Sequence, residues 1–119
     1  MTEDNPIEGQ ILVLTAAKAS VGGQQVPDLV AAARRELEPR ADELRRQYEL
    51  VHEDDVRTVF LAPEGFWAEV ADRLDWSRRE REAVARAHAE QLLRIGRREG
   101  REAEFETALE LRDAVVIGS

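Results

Sequence analysis

Apolar positions follow a helical rhythm along most of this chain and a strand rhythm in two short places. From Ile7 to Ser20 the residues are apolar on nearly every side through the run Ile11-Leu12-Val13-Leu14, which predicts a helix at the centre of the core. Asn5 stands where an N-cap would, Pro6 at the first helical position and Glu8 at the third, while Gly22-Gly23 would stop the helix. Val30, Ala33, Leu37, Ala41, Leu44, Tyr48 and Val51 then keep three-and-four spacing across Pro39. Proline inside a helix removes a backbone donor and crowds the preceding turn. Because the apolar phase survives it, the pattern predicts one helix over 27–50, kinked at Pro39 and about 36 Å long.

His52-Glu53-Asp54-Asp55 reads as a charged turn. Val56-Arg57-Thr58-Val59-Phe60-Leu61, rich in β-branched and aromatic residues, predicts a short strand ended by Pro63. Phe66, Trp67, Val70 and Leu74 mark the apolar side of a short helix over 64–74. Ser77 and Glu80 form a capping box for a helix over 78–98, whose end Gly96 and Gly100 weaken. A last helix over 101–112 would turn Phe105, Ala108 and Leu109 inward, and Ala114-Val115-Val116-Ile117 predicts a strand pairing with 57–61. The expected architecture is one domain over residues 1–119. It is α+β but mostly α, with about five helices and a minimal two-stranded sheet.

Composition narrows the chemistry. A chain of 119 residues with 43% apolar content can close one modest core. Without cysteine it has no disulfides, thiolate sites or iron–sulfur ligands, and two histidines are too few for a histidine-rich metal site. No cofactor is expected. The acidic start Met1-Thr2-Glu3-Asp4-Asn5 lacks the pattern of a secretory leader, and no apolar run approaches the roughly 20 residues of a membrane span. A cytoplasmic protein that does not touch membranes is the expectation.

Charge is distributed unevenly. The net charge is −8, and all but one of the 17 cations are arginine, Lys18 being the exception. Excess carboxylate with little lysine suits a salt-rich cytoplasm, where screening is strong. Residues 77–101 hold eight arginines against four glutamates, a net of +4, on an otherwise acidic body. With the turn Asp75-Trp76-Ser77 between two helices, this segment has the outline of a helix-turn-helix, and Arg78, Arg79, Arg86, Arg94 and Arg97 are its candidate nucleic-acid contacts. The alternative is a solvated face braced by pairs such as Glu82–Arg86 and Glu90–Arg94. Gathering of the arginines on one exposed face would favour binding.

Other candidates have structural readings that need no function. His88 falls on the apolar side of its helix, where a hydrogen-bonded core histidine is expected. His52 with Glu53, Asp54 and Asp55 carries metal-compatible groups, but consecutive residues point in different directions. Lys18 near a helix end is expected to offset the helix dipole rather than to form Schiff bases. Ser77 is accounted for by capping, and Gly22-Gly23 lacks the lysine and spacing of a phosphate loop. No residue set points to an enzyme. The apolar stripe of the 27–50 helix, at Val30, Leu37, Leu44 and Tyr48, is the candidate interface for a protein partner or a second copy, giving a homodimer.

Several blocks carry a resemblance across nearly the whole chain: Ala16-Ala17-Lys18-Ala19-Ser20, Val59-Phe60-Leu61 with Trp67, Ala87-His88-Ala89-Glu90-Gln91-Leu92, Ala103-Glu104-Phe105-Glu106, and the ending Ala114-Val115-Val116-Ile117-Gly118. Together they resemble a family of small uncharacterised proteins from halophilic archaea. The resemblance implies a saline cytoplasm and carries no functional residues over. The expected function is a non-enzymatic protein-interaction module, with nucleic-acid binding through the arginine helix as the alternative.

Overall fold

The computed structural model describes residues 5–19, 21, 22 and 24–119. Along the chain run α1 (Gly9–Lys18), α2 (Gln25–Leu37), a 3-10 turn (Glu38–Arg40), α3 (Ala41–Gln47), β1 (Glu49–Glu53), β2 (Arg57–Pro63), α4 (Phe66–Leu74), α5 (Arg78–Glu99), α6 (Glu102–Leu109) and β3 (Arg112–Gly118). The α+β class matches expectation, and with α2 and α3 taken as one proline-interrupted segment there are five helical segments among the described residues. The sheet does not match. It has three antiparallel strands in the order β1-β2-β3. The expected pairing of the last strand with 57–61 is present, with Val59 opposite Val116 and Leu61 opposite Ala114.

Pro39 breaks the expected 27–50 helix more deeply than a kink. The α2 ladder ends at Leu37, and the chain passes through one 3-10 turn holding Pro39 before α3 resumes. The tighter turn tolerates the missing donor and keeps the apolar phase, so Val30, Ala33, Leu37 and Leu44 are all buried. Helix then stops at Gln47, and 49–53 become β1. The charged turn expected at 52–55 is accordingly half strand. Asp54 closes the hairpin, its Oδ1 accepting the N–H groups of Val56 (2.8 Å) and Arg57 (2.9 Å).

Alternation along β2 and β3 divides the core in two. Val59, Leu61, Ala114 and Val116 join one apolar cluster with Ile7, Ile11, Leu92, Ile95 and Phe105. Phe60, Ala62, Val115 and Ile117 join another with Leu37, Leu44, Trp67, Val70 and Val84. Successive strand residues face opposite ways, so these two strands are buried on both faces. That is why their sequences read as unbroken apolar runs.

The central helix is α5, not α1. The 22 residues of α5 open on the expected capping box, Ser77 Oγ accepting from the Glu80 N–H (3.2 Å) and Glu80 Oε1 from the Ser77 N–H (2.7 Å). Helix α6 folds back on it at Gly96, where a Cβ would lie 2.9 Å from the Phe105 ring and 3.0 Å from the Glu102 Cα. Helix α1 lies at the rim. Its inward side is Ile11 and Thr15, while Val13 is 70% and Leu14 49% exposed. Its start is also later than expected: Asn5 Oδ1 accepts the Ile7 N–H (2.9 Å), and the Pro6 carbonyl accepts from Arg57 Nε (2.7 Å), both ahead of the helix. The expected end at Ser20 and the stop at Gly23 lie outside the described residues.

Candidate functional site

The two histidines do structural work. His88, 1% exposed, accepts the Val116 N–H at Nδ1 (2.9 Å) and packs against Trp67 with ring centroids 4.4 Å apart. Trp67 Nε1 in turn donates to the Ala114 carbonyl (3.0 Å), and Glu38 Oε2 accepts the Gly118 N–H (2.9 Å). Three side chains from three elements thereby satisfy backbone groups of β3 that no strand pairs, which closes an edge otherwise open to another chain. Burial pushes the His88 pKa down to about 3, so the ring is neutral. His52 sits between Asp54 Oδ2 (2.8 Å) and Glu99 Oε2 (3.1 Å), tying the hairpin to the end of α5. Its hydrogen bond is the largest cause of an Asp54 pKa near 2. Glu53 turns instead to Arg45 and Thr58, so the run does not converge on one point. Among the described residues no group of three or more histidines and carboxylates could hold a metal ion.

The expected dimer stripe is not a surface. Val30, Leu37 and Leu44 lie inside the chain's own core, and half-buried Tyr48 packs edge-on against Phe66 at 5.7 Å. The chain's own helices and sheet cover Val30, Leu37 and Leu44, and only Tyr48 keeps part of its surface in solvent.

The five candidate arginines of α5 separate into two groups. Arg78 pairs with Glu82 (3.1 Å), Arg97 with Glu102 (3.0 Å), and Arg94 reaches Glu8 (3.5 Å) and Gln10 (2.8 Å). Arg79 and Arg86 have no such partner among the described residues. They are two turns apart on the exposed line of α5, about 10 Å along its axis. Helix α1 runs antiparallel beside them and brings Lys18, likewise unpaired among the described residues, to the same place. Lys18, Arg79 and Arg86 line a cleft of about 200 Å³ whose one carboxylate, Glu82, is the partner of Arg78. The expected i, i+4 pairs Glu82–Arg86 and Glu90–Arg94 are not the ones formed.

Next to this cleft, Lys18 and Arg86 also border a notch of about 30 Å³ floored by Ile11, Leu14 and Thr15. The Thr15 hydroxyl is buried there with no hydrogen-bond partner among the described residues. Along the outer side of α1, Gly9, Gln10, Val13 and Leu14 form an apolar shelf. The same face therefore carries two exposed aliphatic side chains, one orphaned hydroxyl and three cations. Sequence reasoning had Lys18, Arg79 and Arg86 but not Val13, Leu14 or Thr15. A helix apolar all round must expose one side once it sits at the rim, and only the placement of α1 shows which side.

Helix α1 is held on α5 by a polar clasp. Glu8 takes a two-pronged ion pair from Arg98 (both contacts 2.8 Å) and exchanges hydrogen bonds with buried Gln91, its N–H donating to Oε1 (2.8 Å) and its Oε2 accepting from Nε2 (2.8 Å). Arg98 is the main reason that the Glu8 pKa falls to about 2. The clasp fixes the position of α1 and hence of the face it shares with α5.

The family described as a domain of unknown function (DUF8048) matches residues 5–119. No curated protein and no solved structure matches the chain.

Proposed function

We propose that this chain, which belongs to the DUF8048 family, is a non-enzymatic protein-interaction module whose binding surface is the shared face of α1 and α5. One observation carries the reading: Val13, 70% exposed, and Leu14, 49% exposed, stand on a helix whose other side is firmly packed, with Lys18 and Arg86, unpaired among the described residues, next to them. Aliphatic knobs rimmed by cations match an acidic amphipathic segment of another protein, which would bury its apolar side on Val13 and Leu14 and meet the cations with carboxylates. A second copy fits less well. A helix of ten residues offers far less than the roughly 800 Å² per partner of a stable dimer, and self-pairing would set like charges along its borders.

A photo-crosslinker at position 13, used in cells that make the protein, tests this. The reading expects capture of a partner with an acidic amphipathic segment, and purified complex weakened at least about tenfold by Val13→Asp or Lys18→Glu. Capture of only a second copy, no capture, or binding unchanged in both variants overturns it. The balance of charge, −8 with arginine in 16 of 17 cationic positions, supports a salt-rich cytoplasm as the setting, and a melting temperature that rises into molar KCl is the corresponding expectation.

Nucleic-acid contact is the second reading, favoured by the alignment of Arg79 and Arg86 on one exposed line. Of the five arginines expected to make it, three are engaged in ion pairs.

A further inference from the structure

The geometry points to a binding site for a phosphate group in the cleft between α1 and α5, held by Lys18, Arg79 and Arg86 with the Thr15 hydroxyl as a further donor. It shares Lys18 and Arg86 with the proposed interaction face and borders Leu14, but it rests on the cleft and the Thr15 hydroxyl rather than on exposed Val13, so phosphate binding and partner capture can each fail without the other.

Three observations converge. Carboxylates outnumber cations 25 to 17 in this chain, and four arginines of α5, Arg78, Arg94, Arg97 and Arg98, pair with one, as does Arg101 just beyond the helix. Lys18, Arg79 and Arg86 have none among the described residues, yet they line one cleft. Like charges brought together without a counterion repel, and that cost is offset when an anion sits among them. Thr15, 1% exposed, places a hydroxyl without a partner on the floor of the adjoining notch. Buried hydroxyls are nearly always hydrogen-bonded, so one left over beside two cations indicates a missing acceptor. The notch of about 30 Å³ takes a single oxygen-sized group, whereas the cleft of about 200 Å³ takes the rest of a small anion.

The donor set selects the anion. Two guanidinium forks, one ammonium and one hydroxyl supply many donors from different directions, which suits the several oxygens of a tetrahedral dianion better than a planar carboxylate. Glu90 borders the notch and opposes any anion there; with Glu82 paired to Arg78, and Arg94 and Arg97 to Glu8 and Glu102, Lys18, Arg79 and Arg86 still outnumber it three to one.

The phosphate can belong to a free phosphorylated molecule or to a nucleic-acid backbone, and calorimetric titration separates the two. Inorganic phosphate, pyrophosphate, adenosine monophosphate and a short DNA duplex are each titrated into the full chain at low salt and in molar KCl. Binding should weaken about tenfold in Lys18→Met and in Arg86→Met. It should weaken to a lesser degree in Thr15→Val, with no loss of thermal stability, and be unchanged in Arg46→Met on α3. Thr15→Val distinguishes a binding role from a structural one, because removing an unpartnered hydroxyl leaves the fold intact. Binding of the small phosphates assigns a free phosphorylated ligand. Binding of duplex alone, with a salt dependence flattened by Arg79→Met and Arg86→Met, assigns the nucleic-acid backbone. Absence of binding by every probe at low salt, or affinities unchanged in Lys18→Met and Arg86→Met, overturns the proposal.

Discussion

His88 makes the stability of this protein fall in mild acid, and the size of the effect follows from its surroundings. Its Nδ1 accepts the Val116 N–H (2.9 Å), so the neutral ring carries its proton on Nε2, and that nitrogen is buried without a partner among the described residues. Protonating Nδ1 would break the hydrogen bond and leave a charge in the core, which is why burial depresses the pKa from 6.5 to about 3. In the unfolded chain the ring titrates normally. Above about pH 6.5 both states are neutral and the histidine contributes no pH dependence. Below it the unfolded chain takes up a proton that the folded chain refuses, so stability drops as pH falls, by about 1.4 kcal/mol per pH unit, until the folded ring protonates near 3. Between about pH 7 and about pH 5 the loss is about 2 kcal/mol, or roughly 8 °C in melting temperature for a domain of this size. The perturbation is His88→Asn, whose Oδ1 can occupy the place of Nδ1 and accept the same N–H but does not titrate. The smaller side chain costs stability at every pH. Urea unfolding at both pH values should show a gap between the wild type and His88→Asn that narrows by about 2 kcal/mol toward the acid side. Parallel pH dependence in the two proteins would refute the argument. Glu8 and Asp54 do not imitate the effect, since both carboxyls are held near 2, well below this window.

The Glu8 clasp is the next acid-sensitive element. Its folded pKa lies below 4.5, so its contribution is full above about pH 4.5 and is lost as pH falls toward 2; Glu8→Gln should cost about 2 kcal/mol at neutral pH by urea titration and loosen α1 in hydrogen exchange. Gly96→Ala forces a methyl group into the Phe105 ring and the Glu102 backbone, and should lower stability by about 1–3 kcal/mol, the direction opposite to that of an exposed helical glycine. Leu44→Ala should cost about 2–5 kcal/mol and Val13→Ser less than about 0.5 kcal/mol. Similar costs for the two would contradict the placement of Leu44 in the core and Val13 on the surface.

Local signals were strong enough to be read directly wherever one interaction decides one element. The Ser77–Glu80 box starts α5 with the bonds expected of it, Phe66, Trp67, Val70 and Leu74 mark α4, and Arg57–Leu61 and Ala114–Ile117 pair as strands. The α+β class and the uneven charge are likewise properties of residue order. What the order of residues could not decide was where each element lies relative to the others. An apolar helix can be the centre or the rim; α5 buries eight residues and α1 only Ile11 and Thr15, so α5 takes the centre and leaves Val13 and Leu14 in solvent. Tyr48 and Val51 extend a helical period, but pairing of Glu49–Glu53 with β2 satisfies more backbone groups than another helical turn, and tertiary hydrogen bonding overrides the period. Val30, Leu37 and Leu44 announced an apolar stripe without saying what covers it. The face that remains, with two aliphatic knobs, and with Thr15 and three cations unpartnered among the described residues, exists only because two helices distant in sequence lie antiparallel, held by Glu8, Gln91 and Arg98.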